Sequence, residues 1–253
     1  MLSSPDGETL RVTAHRSFVL EESIDQLSCV GVPWRRKALR VQFLDEVAVD
    51  AGGLHREWFT LLSQLVADTR RGLFICHDAS SQTYHINPNS HADCGDEHIT
   101  YFFTIGRIVG RALLEGIPWG FHFTLPLLKV LLGRPVGLQD VEAVDPVLHR
   151  NLDWLLRNDG VESLGLDFSV TLHTDSDSTP RTVDLIAEGS RIAVTDENKR
   201  VYVERRARFL LVESVSEQLH AFLTGFYEVV PMELLFLFDP EEFDFLLSGL
   251  RRD

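Results

Sequence analysis

The sequence predicts an α+β fold that is mainly helical, and three features of the chain predict it. Residues 98–115 are apolar on nearly all sides of a helical projection, which is typical of a buried helix. Asp145-Pro146 and Asp239-Pro240 each place an N-cap acid before a proline at the first helical position. Residues 164–168 and 182–185 alternate apolar and polar side chains as short strands do. We therefore expect a helical scaffold with a small region that contains strands.

The first half of the chain is predicted from the spacing of its apolar residues. Residues 1–16 are polar and mixed, and we expect an irregular entry there. The buried helix carries Gly106 and Gly110 one turn apart, which predicts a close approach of a neighbouring helix. The other expected elements are a helix over 18–27, a strand over 39–43, a helix over 54–66, strands over 73–75 and 84–86, and a helix over 123–132.

The second half begins with the helix that follows Asp145. Two strands come next, with a polar loop at 175–180 between them, so we expect a hairpin. A long helix is expected from about residue 196 to residue 227, and a last one from Asp239 to a glycine C-cap at Gly249. The small region that contains strands therefore falls within residues 145–205.

The charge of the chain limits its partners. The 24 Lys and Arg residues against 38 Asp and Glu residues give a formal net charge of 24 − 38 = −14. Such a surface repels nucleic acid and anionic membrane, so we expect neither as a partner. A neutral or basic protein surface fits this charge better. Hydrophobic residues make up 44% of the 253 residues, which is ample for a core.

The cysteines and the apolar runs indicate where the protein works. There are only three cysteines and no CxxC pair, which fits a reducing compartment better than a disulfide framework. The N-terminus does not show a basic region followed by an apolar run, and no apolar run is long enough to span a bilayer. We expect a soluble protein of the cytoplasm, with the nucleus as the alternative.

Residues 41–59 join an apolar strand, an acidic turn and a glycine pair to a helix, which is the order of a phosphate-binding loop. Such a loop needs Lys and then Ser or Thr after its glycines, and the acids of this turn would repel phosphate. The glycine pair is better interpreted as a backbone device that provides a positive φ or a close approach. We interpret these residues as structural: Asp50, Gly52, Gly53, Arg56 and Glu57.

No constellation of residues predicts a catalytic, metal or cofactor site. Four possible metal ligands lie close together, at His91, Cys94, Asp96 and His98. The paired spacing of structural zinc sites is missing, so we favour a polar loop that caps the next helix. Cys76 and His77 are adjacent on a predicted strand and point to opposite faces, so they do not form a nucleophile and base pair. No Gly-x-Ser-x-Gly motif occurs.

The helix after Asp145 carries two apolar faces. Leu148, Leu152 and Leu155 form one stripe, and Val147 and Trp154 mark another. An exposed apolar face on a soluble protein often marks a partner site. The pattern itself somewhat favours burial of both faces in the core.

Six motifs follow one another along the chain in a family-specific order: FLDEVAVDAGGLHREWF at 43–59, GLF at 72–74, YHINPNS at 84–90, HITYFFTIGRIVGRAL at 98–113, IAVTDENKRVYV at 192–203 and FDPEEFDFLLSG at 238–249. Together they resemble the N-terminal lobe of a HECT ubiquitin ligase domain. The resemblance covers the chain from about residue 18 onward. It implies a large helical subdomain over 1–144 and 206–253, and a small α/β subdomain over 145–205.

The resemblance also implies a mechanism. HECT ligases take ubiquitin from a charged ubiquitin-conjugating enzyme as a thioester on their own cysteine, and then pass it to a substrate lysine. The N-lobe docks the conjugating enzyme, a C-terminal lobe carries the cysteine, and regions outside the domain choose the substrate protein. Two other classes stay open: a non-catalytic module that binds conjugating enzymes, and a helical interaction scaffold.

By position, the resemblance carries the family's docking groove onto Leu148, Leu152, Leu155, Leu164, Leu166 and Tyr202. An aromatic among aliphatic residues is typical of an interface hot spot. The family's catalytic cysteine has no counterpart in this sequence, so we expect the chain to be inactive alone. Arg71 stands where one subgroup has an aromatic residue that holds a second ubiquitin, so that site is not expected here.

Overall fold

A computed structural model describes residues 9–31, 37–44, 46, 51–172 and 180–249, and it confirms the mainly helical α+β fold. The helices are α1 (Val19–Ser28), α2 (Ala51–Ala67), α3 (Ser90–Cys94), α4 (His98–Leu114), α5 (Leu125–Leu131), α6 (Leu138–Val141), α7 (Pro146–Arg157), α8 (Lys199–Leu211), α9 (Ser216–Val229) and α10 (Pro240–Ser248). The strands are β1 (Thr9–Ala14), β2 (Ala38–Phe43), β3 (Phe74–Asp78), β4 (Thr83–Ile86), β5 (His122–Phe123), β6 (Ser169–Leu172) and β7 (Arg181–Asp184). No helix of the described residues is both long and apolar enough to cross a bilayer.

The chain divides into two compact units. The first unit consists of Met1–Phe123, Leu131–Gly133 and Glu217–Asp253, and the second consists of Thr124–Val130 and Arg134–Ser216. The second unit includes the whole of the predicted range 145–205 and extends beyond it at both ends. It extends because α6 and all of α8 pack with α7. The functional division of the chain at residues 145 and 205 stays a prediction.

Helix α4 lies in the core of the first unit, as its apolar pattern predicted. Phe102, Ile105 and Val109 are fully buried on it. Around Phe102 lies a cluster of aromatic rings, in which the centroid of Phe74 is 5.5 Å from that of Phe102 and 6.4 Å from that of Phe222. Edge-to-face ring pairs of this kind add to the stabilisation that burial alone provides.

Glycines allow α4 and α9 to lie in backbone contact. A Cβ atom added at Gly106 of α4 would lie 2.1 Å from the carbonyl oxygen of Phe222. A Cβ added at Gly225 of α9 would lie 1.9 Å from the carbonyl oxygen of Phe103. The close helix approach predicted from Gly106 and Gly110 is therefore confirmed.

A buried arginine also stabilises the first unit. Arg107 of α4 donates its Nε–H to Glu228 over 2.7 Å and an Nη1–H to the carbonyl oxygen of Leu27 over 2.6 Å. Its guanidinium carbon lies 4.3 Å from the centre of the Phe103 ring. The charge is therefore both paired and hydrogen-bonded, as burial requires.

The strands of the first unit form two small sheets. Strand β2 covers the predicted strand at 39–43, and β4 covers the one at 84–86. Strand β3 begins one residue later than the strand predicted at 73–75 and continues to Asp78. The irregular entry predicted for residues 1–16 is wrong over residues 9–14, because β1 pairs with β2 in parallel there. Val12 and Ala14 are fully buried in this sheet. The partner strand lies about 30 residues away, so the local pattern did not indicate the pairing.

The glycine loop expected at residues 52 and 53 is also wrong. Both glycines lie in the first turn of α2, which begins at Ala51. Further along this helix, Glu57 accepts a hydrogen bond from Arg16 over 2.6 Å. Asp50, which we interpreted as structural, lies outside the described residues.

Two predicted elements of the second half differ in the structure. The strand predicted at 164–168 is wrong, because a 3-10 turn over Val161–Leu164 and Gly165 at φ +62° precede the strand β6. The long helix predicted from 196 to 227 is two helices, α8 and α9. Val212 leaves helical geometry at φ −135° and ψ −52° and separates them. Neither glycine nor proline marks that break in the sequence, so helical periodicity did not reveal it.

Candidate docking site

Helix α7 is the main element of the candidate site, and its start is fixed locally. Asp145 Oδ1 accepts hydrogen bonds from the backbone N–H groups of Val147 (3.1 Å) and Leu148 (2.8 Å). Pro146 occupies the first helical position, where it needs no donor. The helix start predicted from Asp145-Pro146 is confirmed, so the direction in which each α7 side chain points follows from helical geometry.

The predicted groove residues lie at different depths in the second unit. Leu152, Leu155 and Tyr202 are only 2%, 5% and 7% exposed. They belong to one buried cluster, in which the rings of Tyr202 and Phe168 meet edge to face at 5.4 Å. Leu148 and Leu166 are half-buried and pack against this cluster. Leu164 does not belong to it and is 48% exposed.

The second apolar face of α7 is exposed. Val147 is 57% exposed and Trp154 is 49% exposed, and they are seven residues apart, which places them two turns apart on one face of the helix. The preference for burying both faces was therefore wrong. We give the name apolar docking face to three exposed apolar residues of the second unit: Val147 and Trp154 on α7, and Leu164 on the turn that follows it. The helical spacing of Val147 and Trp154 in the sequence predicted that they share a face of α7. Spacing alone does not show which of two apolar faces is buried.

The turn that carries Leu164 is tied to the start of α8. Asp196 accepts a hydrogen bond from the backbone N–H of Gly160 over 2.6 Å. Lys199 donates to the carbonyl oxygen of Asn158 over 2.6 Å and to the carboxylate of Asp159 over 3.0 Å. The backbone N–H of Asp196 in turn donates to Glu162 over 2.9 Å. The turn therefore has partners on both sides of residue 160, and sequence reasoning did not find this role of Asp196 and Lys199.

The pKa values of Asp196 and Lys199 shift in the directions that these hydrogen bonds predict. The hydrogen bond from the Gly160 backbone lowers the pKa of the Asp196 carboxyl below its ordinary value, because it favours the charged form. The hydrogen bond with Asp159 raises the pKa of Lys199. Asp196 and Lys199 are therefore both charged at neutral pH, and they lie 3.0 Å apart.

Among the possible metal ligands, Cys94 contacts Arg71 and His98 contacts Ser90. His91 contacts Asp96, and its ring centroid lies 5.3 Å from that of His98. Burial raises the pKa of the Cys94 thiol to about 11, and its Sγ–H donates to a backbone carbonyl oxygen over 2.8 Å. A thiol of this kind is a poor nucleophile at neutral pH. In the part of the chain that the structure describes, no three His, Cys, Asp or Glu residues are grouped so that they could hold a metal ion.

The second unit presents aliphatic and aromatic side chains to solvent, among them Val147, Trp154 and Leu164. The family model of the HECT domain (ubiquitin-transferase) matches residues 60–253. The chain therefore belongs to the HECT-domain family, whose members are ubiquitin ligases, and the resemblance of the motifs is confirmed.

Similar proteins come from plants, fungi and mammals. E3 ubiquitin-protein ligase UPL1 of Arabidopsis thaliana is 40% identical over 248 residues, which cover 95% of this chain and 7% of that protein. E3 ubiquitin-protein ligase TOM1-like of Neurospora crassa is 41% identical over 212 residues, 84% of this chain and 5% of that protein. E3 ubiquitin-protein ligase HUWE1 of Mus musculus is 34% identical over 243 residues, 96% of this chain and 6% of that protein. The chain thus spans only 5–7% of the length of these relatives.

Proposed function

We propose that this chain docks a charged ubiquitin-conjugating enzyme, as the N-lobe of a HECT ubiquitin ligase. Ubiquitin then passes to a cysteine on a C-lobe and from there to substrate lysines. The observation that carries the proposal is the apolar docking face, which lies in a unit within the match to the HECT domain. Exposed apolar side chains grouped on a rigid element are typical of protein-binding sites.

Exposure divides the residues of the candidate site, the predicted groove residues and Trp154, into two roles. Leu152, Leu155 and Tyr202 are too buried to touch a partner without opening the unit, so they hold α7 in place from within. Trp154 and Leu164 present large apolar surfaces and make the contact. A tryptophan is the side chain most often found at the energetic centre of an interface. The buried groove residues thus hold the site in place, and the exposed residues of the docking face, which include Leu164, contact the partner.

The conjugating enzyme should lose affinity when the docking face is truncated. We expect Trp154→Ala to weaken binding at least about tenfold, which corresponds to about 1.4 kcal/mol. The reason is that its exposed ring becomes buried only in the complex. The measurement is a calorimetric titration of several ubiquitin-conjugating enzymes with wild type and variant.

The matched control is Phe236→Ala, because Phe236 is an aromatic residue of the first unit that is also well exposed. This variant should bind like wild type. Equal loss in both variants, or unchanged binding by Trp154→Ala, would contradict the assignment of the docking face.

We propose that none of the three cysteines of this chain forms the thioester with ubiquitin. Cys94 is held in its thiol form by burial, and Cys76 is half-buried on β3. Cys29 is exposed, but it lies at the C-terminal end of α1 and not at a helix start, where thiolates are stabilised. In a reaction with a conjugating enzyme charged with labelled ubiquitin, we expect no adduct on this chain that a thiol reductant removes. A reducible adduct that disappears with Cys29→Ser, Cys76→Ser or Cys94→Ser would contradict this.

A further inference from the structure

A cavity in the second unit has no role in the proposed docking. Its volume is about 730 Å³, within the range of about 300–1,000 Å³ that is usual for ligand pockets. Val203 and Ala207 of α8 and the side chains of Leu138 and Leu156 supply apolar lining. Residues 134–138 form another part of the wall.

The wall at residues 134–138 is held by hydrogen bonds from outside the cavity. The backbone N–H of Gly137 donates to Asp140 Oδ2 over 2.9 Å, and Lys129 Nζ lies 2.6 Å from the other oxygen of that carboxylate. The backbone N–H of Arg134 donates to the carbonyl oxygen of Lys129 over 2.8 Å. The cavity is therefore preformed, and a ligand need not order this segment on binding.

The charges that line the cavity have the opposite sign to the chain as a whole. Arg134, Arg200 and Arg208 line it with only one carboxylate, that of Glu204, whereas the chain carries a net charge of −14. Arg208 Nε lies 3.1 Å from a carboxylate oxygen of Glu213 in an ion pair, and a guanidinium has further N–H groups to donate. The cavity thus favours an anionic ligand.

Two of these arginines are spaced along α8. Arg200 and Arg208 are eight residues apart, which is about 12 Å along the helix axis and about 80° around it, and both line the cavity. Glu204 lies midway between them and disfavours a third anionic group at the centre. Val203 and Ala207, also between them, favour an apolar centre.

We propose that this cavity binds an extended acidic peptide segment, in which two carboxylates flank apolar residues. An extended chain rises about 3.3 Å per residue, so carboxylates four residues apart span about 13 Å and match the two arginines. Each guanidinium can hold a carboxylate through paired hydrogen bonds. An apolar acid with a single head group would engage only one of the two.

The test is fluorescence anisotropy with the whole 253-residue chain and a labelled peptide, Glu-Leu-Val-Leu-Glu. We expect saturable binding that weakens about five- to tenfold with Arg200→Ala and with Arg208→Ala, because each removes one charged pair. Arg150→Ala is the matched control, since Arg150 is an exposed arginine of α7 outside the cavity, and it should bind like wild type. The peptide Gln-Leu-Val-Leu-Gln should bind at least about tenfold more weakly than the acidic peptide.

Three results would overturn the proposal. The first is no saturable binding of the acidic peptide up to about 1 mM. The second is equal affinity for the acidic and the amide peptides, or no effect of either arginine substitution. The third is tighter binding of decanoate, an apolar acid with a single carboxylate, than of the acidic peptide, measured as displacement of the labelled peptide.

Discussion

Leu152→Ala is expected to destabilise the second unit by about 2–5 kcal/mol. Leu152 belongs to the buried cluster that α7 shares with α8 and with residues of β6 and β7, and it is 2% exposed. Removing its side chain leaves a cavity among Leu155, Phe168 and Tyr202, because residues in a packed core relax only partly into such a space. The loss is a large share of the stability of a typical domain.

The measurement for Leu152→Ala is urea unfolding followed by hydrogen exchange of the amides of α7. Exchange reports each unit separately, which a single midpoint for a chain of two units does not. Trp154→Ala on the same helix is the comparison and should destabilise the unit less than Leu152→Ala does, since its side chain is half exposed. Similar destabilisation by both substitutions would show that the docking face is part of the core.

Gly225→Ala is expected to have an effect of comparable size in the first unit. Alanine normally stabilises a helix relative to glycine by about 1 kcal/mol. Here the added Cβ would lie 1.9 Å from the carbonyl oxygen of Phe103 and 3.1 Å from the backbone nitrogen of Arg107. Backbone atoms cannot rotate away as a side chain can, so α9 must move from α4. We therefore expect a loss of about 3 kcal/mol or more, at the upper end of overpacking costs.

The neighbouring residue provides the control for Gly225→Ala. Thr224 is exposed on α9, so Thr224→Ala should change the free energy of unfolding by less than about 0.5 kcal/mol. Thermal and urea unfolding of the three proteins are compared. A Gly225→Ala chain as stable as wild type would contradict the backbone contact between α4 and α9.

Helix ends could be predicted from the sequence because their determinants are local. The Asp239 carboxylate accepts a hydrogen bond from the backbone N–H of Glu242, and the Glu242 carboxylate accepts one from the backbone N–H of Asp239. Together the two bonds form a complete capping box. The helix ends at Gly249 with φ +69°, a conformation that favours glycine. Both ends lie within ten residues of the side chains that specify them, so a single sequence contains all the necessary information.

Strand β1 and the break at Val212 could not be predicted in the same way. Strand β1 becomes a strand only by pairing with β2, about 30 residues away. The break between α8 and α9 has no glycine or proline, and the Oγ–H of Ser214 donates to the carbonyl oxygen of Leu210 within it. Tertiary context decides both features, and it overrides local preference.

For the candidate site, the sequence predicted two apolar faces on α7 but assigned their burial incorrectly. Helical periodicity places Leu148, Leu152 and Leu155 on one face, and Val147 and Trp154 on another. Which face packs inward depends on where α8 and the hairpin lie, and that information is not local. The residues that we propose to contact the partner could be chosen only once the exposure of each side chain was known.

The most direct test of the docking proposal is hydrogen exchange of the chain with and without a saturating ubiquitin-conjugating enzyme. The footprint should fall on α7 and on the turn at residues 158–165, because these segments carry Val147, Trp154 and Leu164. Buried amides of α4 should keep their exchange rates. A footprint confined to the first unit, or no change in exchange at saturation, would contradict docking through this face.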